Sequence, residues 1–157
     1  MKTHNGFTIT ELVITLGVLS IMLALATPSF TQMIKSNRLS TQTNEFISTL
    51  NVARSEAVKR GDVINITAAD DSDSGNEWGP GWKVTNSGGD VLFESDGLDA
   101  TLTLDSSNDL GSYQYQATGM IDNGDTLILC DDRTGENGRQ ITITSTGRVS
   151  IDDVACP

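Results

Sequence analysis

Few side chains in this 157-residue sequence are of the kinds that make or break bonds. The one histidine, His4, stands in a short polar leader expected to be removed. The mature chain then has no imidazole for general-base or ligand duty, which excludes Ser-His-Asp and Cys-His catalysis and any histidine-bearing zinc site. Cys130 and Cys156 are too few for a four-cysteine zinc site and too far apart for a CxxC redox pair, so a disulfide is the simple reading if the chain is exported. Oxygen ligands crowd Asp70-Asp71-Ser72-Asp73-Ser74-Gly75-Asn76-Glu77, but Gly75 stands where an EF-hand would carry its third ligand. A solvated acidic loop is expected there, and no metal or other cofactor. With 18 acidic residues after Gly61, some carboxylates will be neighbours by chance, and no catalytic dyad follows from spacing. There is no glycine-rich phosphate loop, and an enzyme is not expected. Arg133, Arg139 and Arg148 are the only cations in the last 70 residues and are the candidate phosphate contacts.

The elements that must position these groups differ along the chain. One domain with an appendage suits the length. The net charge of -11 is uneven: residues 62–157 sum to -14, a surface that repels polyanions, whereas residues 31–61 are basic. Leu39, Thr43, Phe46, Leu50, Ala53 and Ala57 are spaced by four, three, four, three and four, an apolar stripe on a helix over 31–60. Gly61 supplies its stop, and Lys59 and Arg60 suit the negative end of its dipole. Beyond Gly61 the period becomes two. Strands are predicted at 63–67, 82–85, 91–94, 101–104, 113–117, 126–130, 140–144 and 148–151, with hairpin turns at Asn86–Gly89 and Ser145–Gly147. The fold class is therefore α+β, a long helix packed against an antiparallel β head. Trp78 and Trp82 are expected to be a core anchor and a turn plug rather than a ligand platform.

The amino-terminal region has a different logic. Leu12–Ala26 is a largely apolar run that extends to residues 7–30, about 36 Å of helix and enough to span a bilayer. Lys2 in the leader would remain cytoplasmic, leaving the rest of the chain outside. An ordinary secretory signal is the competing reading, because Ala24-Leu25-Ala26 has the A-x-A pattern. Against it stands Glu11, whose carboxylate costs about 2.5 to 3.5 kcal/mol in a membrane-spanning helix and so calls for a function.

Gly6-Phe7-Thr8-Ile9-Thr10-Glu11-Leu12, followed by the apolar helix and Pro28, resembles the class III signal of type IV prepilins. The resemblance implies cleavage between Gly6 and Phe7 by the prepilin peptidase and N-methylation of Phe7. It also implies pairing of Glu11 with a subunit's terminal amine during filament assembly, and a helix bent or locally melted at Pro28. The implied organisation is a leader at 1–6, a transmembrane and filament-core helix at 7–30, an amphipathic stalk at 31–61 and a periplasmic β-rich head at 62–157. The segment from Leu50 to Gly61, Trp78-Gly79-Pro80-Gly81-Trp82, Cys130-Asp131, Gly138-Arg139 and Gly147-Arg148 are similar to the FimT/FimU minor pilins and GspH pseudopilins. What this implies is a minor pilin held in the inner membrane and then incorporated into a pilus, priming its tip, with other major and minor pilins as partners. A minor pseudopilin of a type II secretion system is the alternative, and a DNA-capturing tip pilin another. Some FimT-type pilins bind DNA through Gly-Arg-x-Arg. Here Gly147-Arg148-Val149-Ser150 keeps the first arginine and lacks the second, so weak binding is expected. Pairing of Arg139 and Arg148 with Asp131, Asp132, Asp152 or Asp153 is the competing expectation.

Overall fold

The computed structural model describes residues 6–70, 72, 75–135 and 137–156. It divides into two compact units, Met1–Asn37 and Arg38–Pro157. One helical element, α1 (Ile9–Arg60), contributes to both. It is a single element across position 28, so the helix is not locally melted there.

In the second unit α1 behaves as its periodicity requires. Leu39, Thr43, Phe46, Leu50, Ala53 and Ala57 are all buried. Thr43, the one polar member of the stripe, turns its hydroxyl back onto the Leu39 carbonyl at 2.7 Å and so brings no unpaired donor into the core. The helix stops at Gly61, whose φ of 64° is left-handed, and the Asp62 N–H reaches back to the Ala57 carbonyl at 3.2 Å. That is a Schellman closure, and a residue with a Cβ would be strained in it.

Eight strands follow: β1 (Ile64–Ala68), β2 (Trp82–Asn86), β3 (Val91–Ser95), β4 (Leu102–Ser106), β5 (Ser112–Tyr115), β6 (Asp125–Asp131), β7 (Asn137–Ile143) and β8 (Val149–Ala155). They form two antiparallel sheets, ordered β3-β2-β1-β5 and β4-β6-β7-β8. The two expected hairpin turns close alike. The Gly89 and Gly147 N–H groups donate to the Asn86 and Thr144 carbonyls, while the Asn86 and Thr144 N–H groups donate to the Asp90 and Arg148 carbonyls. Both glycines have positive φ, as a three-residue loop ending in a bulge demands.

One buried cluster joins the helix stripe to both sheets. At its centre the Phe46 ring stands edge-on to Trp78 and Trp82, with centroids 5.4 and 5.0 Å apart, and Trp78 stacks on Tyr113 at 4.9 Å. The two indole N–H groups donate to the Leu110 carbonyl at 2.8 Å and to Thr49 Oγ1 at 3.2 Å. Both tryptophans are thus core anchors with their donors satisfied. Arg54, on the rim of the helix, donates to the Gly119 carbonyl at 3.0 Å and the Thr146 carbonyl at 3.1 Å, tying two turns from different parts of the chain to α1.

Candidate functional site

The amino-terminal segment is built around one local hydrogen-bonded ring. Thr8 precedes α1 as its N-cap, and the Glu11 N–H donates to Thr8 Oγ1 at 3.2 Å. In return Glu11 Oε2 accepts the Thr8 N–H at 2.9 Å and the Thr8 hydroxyl at 2.8 Å. This reciprocal capping box satisfies donors that a helix start leaves open. It also places a carboxylate in the first turn, where the helix dipole favours negative charge. Gly6 and Phe7 lie just outside the helix. A Cβ at Gly6 would meet nothing within 4 Å, and Phe7 is 85% exposed. The Gly6–Phe7 bond is therefore accessible. Cutting it would put a new ammonium at the positive end of a helix dipole, a place that needs the nearby Glu11 carboxylate to offset it. The rest of the leader, Met1–Asn5, lies outside the described residues.

Beyond this ring α1 is long and apolar enough to cross a membrane, and none of its apolar window is buried within the protein. Leu12, Val13, Ile14, Leu16, Val18, Leu19, Ile21, Met22, Leu23 and Leu25 are all exposed. A surface that extensive and that apolar exceeds what a solvated monomer carries, and it requires lipid or partner helices around it. The hydroxyls of Thr15 and Ser20 fold back on the carbonyls of Leu12 and Leu16 and so do not break the apolar surface.

The cysteines are joined, Cys130 to Cys156, across a sequence separation of 26. The sequence singled out Gly138 without a reason for it, and the structure supplies one. A Cβ there would lie 2.6 Å from Cys156 Sγ, 2.6 Å from the Leu129 carbonyl oxygen and 2.9 Å from Cys130 Sγ, so the bridge passes over β7 where only a glycine leaves room.

The three C-terminal arginines do not converge. Arg133 pairs with Asp131 at 2.6 Å, and the two side chains are only 11% and 4% exposed. Arg139 pairs with Asp153, its cross-strand neighbour between β7 and β8. Arg148 sits at the hairpin turn, about 17 Å along the strand from Arg139 at the usual rise per residue. It is exposed, with no side-chain partner among the described residues. Pairing with carboxylates thus holds for Arg139 and also for Arg133, and not for Arg148.

The acidic loop differs from expectation at its end. Asp71, Asp73 and Ser74 lie outside the described residues. Asp70 accepts the N–H and hydroxyl of Ser72 at 3.0 and 2.6 Å, as a solvated turn would. Glu77 is instead 1% exposed, its two oxygens accepting the Gly75 and Ser106 N–H groups at 3.2 and 3.1 Å. Sequence reasoning also missed Asp125, buried under Tyr113, whose hydroxyl donates to it. Its carboxylate also accepts the Ser106 hydroxyl at 2.6 Å and the Asn108 side-chain amide at 2.7 Å. Burial and this hydrogen bond to a carboxylate push the Tyr113 hydroxyl well above its usual range. The alternation within β6 was the available signal, since Asp125 falls in register with the buried Leu127 and Leu129.

Glu77, Asp105 and Asp109 offer carboxylate oxygens all within 4.8 Å of one another. Burial raises the Asp105 carboxyl, and the charges of Glu77 and Asp109 raise it further. A carboxyl easier to protonate when folded contributes stability below the ordinary carboxylate range, and this is lost as the pH rises through its folded pKa. Asp105→Asn should therefore be more stable than wild type at pH 7, with the gain shrinking toward pH 4, as thermal melts at the two pH values will read.

Two family models match this chain. The first, the type II transport protein GspH, covers residues 42–147, and the second, the prokaryotic N-terminal methylation motif, covers residues 1–27. No curated protein matches it. Among solved structures it is similar to the type IV minor pilin FimU of Pseudomonas aeruginosa in two crystal forms. In one the identity is 28% and the TM-score 0.65, over 75% of this chain and 90% of that one; in the other they are 27% and 0.62, over 72% and 91%. The minor pseudopilin EpsH of the Vibrio cholerae type 2 secretion system shares the fold at 14% identity and a TM-score of 0.56, over 74% of this chain and 97% of that one. With its methylation motif, exposed apolar helix and two-sheet head, the chain belongs to the GspH family of type IV minor pilins and pseudopilins.

Proposed function

We propose that the protein is a low-abundance subunit of a type IV pilus, cut between Gly6 and Phe7, N-methylated at Phe7 and incorporated at the tip, where it primes assembly. Residues 7–30 span the inner membrane before incorporation, residues 31–61 form the stalk, and residues 62–157 form a periplasmic head. Glu11 pairs with a subunit's terminal amine, exchanging the capping interaction of the precursor for an ion pair among packed helices. The observation that carries the pilus reading over the secretion reading is the 28% identity with a pilus subunit across 90% of that chain, against 14% with a pseudopilin.

Deletion in one strain followed by three assays tests this. Loss of surface pili with exoprotein secretion intact is expected. Loss of secretion with pili intact would make the protein a pseudopilin, and loss of transformation alone would favour DNA capture. At the level of processing, mass analysis of membrane-purified protein should find N-methyl-Phe7 first. A chain starting at Thr27 would overturn the proposal in favour of secretory cleavage. Glu11→Ala should leave processing intact and remove the protein from the sheared-filament fraction.

A further inference from the structure

The two sheets have four outer edges, and the described residues treat them differently. On β4 the outward groups are occupied. Asn76 Oδ1 accepts the Leu104 N–H at 3.0 Å, the Trp78 N–H donates to the Leu104 carbonyl at 3.2 Å, and Glu77 Oε2 accepts the Ser106 N–H. β5 is covered by the segment that follows it, through the Tyr115–Ile121 bridge and the bond from the Asp122 N–H to the Gln114 carbonyl. β3 carries an extra residue, Leu92, at a bulge opposite Val84 and Thr85, which spoils its edge as a template. β8 has neither a bulge nor a covering segment among the described residues, and only its charges, Asp152 and Asp153, guard it.

The hairpin geometry fixes which backbone groups of β8 look outward. Thr144 and Arg148 close the turn as a hydrogen-bonded pair. Alternation down the register then makes Thr142–Ser150, Gln140–Asp152 and Gly138–Val154 the bonded pairs. The N–H and C=O groups of Val149, Ile151, Asp153 and Ala155 point away from β7, and no described residue bonds to them. Ile151 lies on the same face as the buried Ile141 yet is 45% exposed, so the inner face of the sheet runs past its own core at this edge. On the opposite face Asp152 is exposed and has no side-chain partner among the described residues. The disulfide at Cys156, one residue beyond the strand, holds the edge in place.

A second copy is a poor occupant. Antiparallel pairing of β8 with itself in full register would set Asp152 directly against Asp152, and like charges directly opposite are destabilising. We propose that the β8 edge is a strand-addition site for an extended segment of a different subunit, with an apolar side chain against Ile151 and a lysine or arginine opposite Asp152. Backbone hydrogen bonds to Ile151 and Asp153 provide the pairing, and the charge at Asp152 selects the partner. This deepens the assembly reading by naming where a partner head docks. Its test uses no filament, so its failure would leave that reading standing.

The experiment is residue-resolved amide exchange on the full-length protein in detergent micelles, with a short blocked peptide alternating valine and lysine and a second alternating valine and glutamate. The basic peptide should slow exchange at Ile151 and Asp153. Asp152→Lys should weaken it roughly fivefold, on the scale of one cross-strand charge pair, and admit the acidic peptide instead. Ile151→Pro deletes an outward N–H that β7 does not use, and it should abolish the protection. If that variant fails to fold, the charge swap carries the test alone. The proposal is overturned if millimolar basic peptide slows neither amide, if wild type binds both peptides equally, or if protection appears on β3 or elsewhere on the acidic head instead.

Discussion

Replacing Cys130 and Cys156 together by alanine lowers the unfolding midpoint of the head by about 10 to 18 °C. The bridge spans a sequence separation of 26, and in the chain-entropy model closing such a loop contributes about 3.5 kcal/mol. For a domain of this size each kcal/mol moves the midpoint by about 3 to 5 °C. Alanine is preferred to serine because both cysteines are buried and a hydroxyl would bring its own desolvation cost. Gly138→Ala tests the same place from the other side. Its Cβ would press on both sulfurs and on the Leu129 carbonyl, an overpacking cost of about 1 to 3 kcal/mol. Because the carbonyl contact is independent of the bridge, part of that cost persists in the alanine double variant. Thermal melts of these variants in detergent decide it, and a double variant melting within about two degrees of wild type, less than the shift for one kcal/mol, would show the bridge to be dispensable.

Phe46→Ala should cost about 3 to 5 kcal/mol, the range for deleting a fully buried aromatic ring. The ring is edge-on to both tryptophans, and each such pair adds about 0.5 to 1.5 kcal/mol beyond the burial of area. Phe46 thus ties the helix to Trp78 and Trp82 together. Against a typical total of about 5 to 15 kcal/mol the loss leaves the head marginal. Denaturant melts followed by tryptophan emission give the measurement, since both reporters are buried in the native state and exposed in the unfolded one. Phe93→Ala is the control. That ring is 40% exposed at the edge of its sheet, and its loss should cost clearly less than that of Phe46.

Much of this was legible in the sequence because the signals are local. The heptad-like stripe from Leu39 to Ala57 marks a helix face whatever packs on it, and Gly61 ends the helix because only glycine takes that φ cheaply. The eight strands fall where the period changes to two and turn residues punctuate it, within a few residues at each end. The disulfide followed from there being two cysteines in a chain with an export signal. What the tertiary structure alone decided is which strand lies beside which. Period two says which side chains share a face and nothing about the neighbouring strand, so the division into two sheets, with β5 joining β1 and β4 joining β6, was not available. The same reason hid the roles that depend on neighbours distant in sequence. Asn76 and Glu77 looked like ligands of a solvated loop and instead cap the edge of β4. Asp125 stood out in no way among the 18 acids after Gly61 and is buried under Tyr113. Arg133 was a candidate phosphate contact and is held by Asp131, whereas Arg139 takes Asp153, one of the four carboxylates expected as partners. A charged side chain's partner is set by register and sheet order, and those are fixed only when the whole core packs at once.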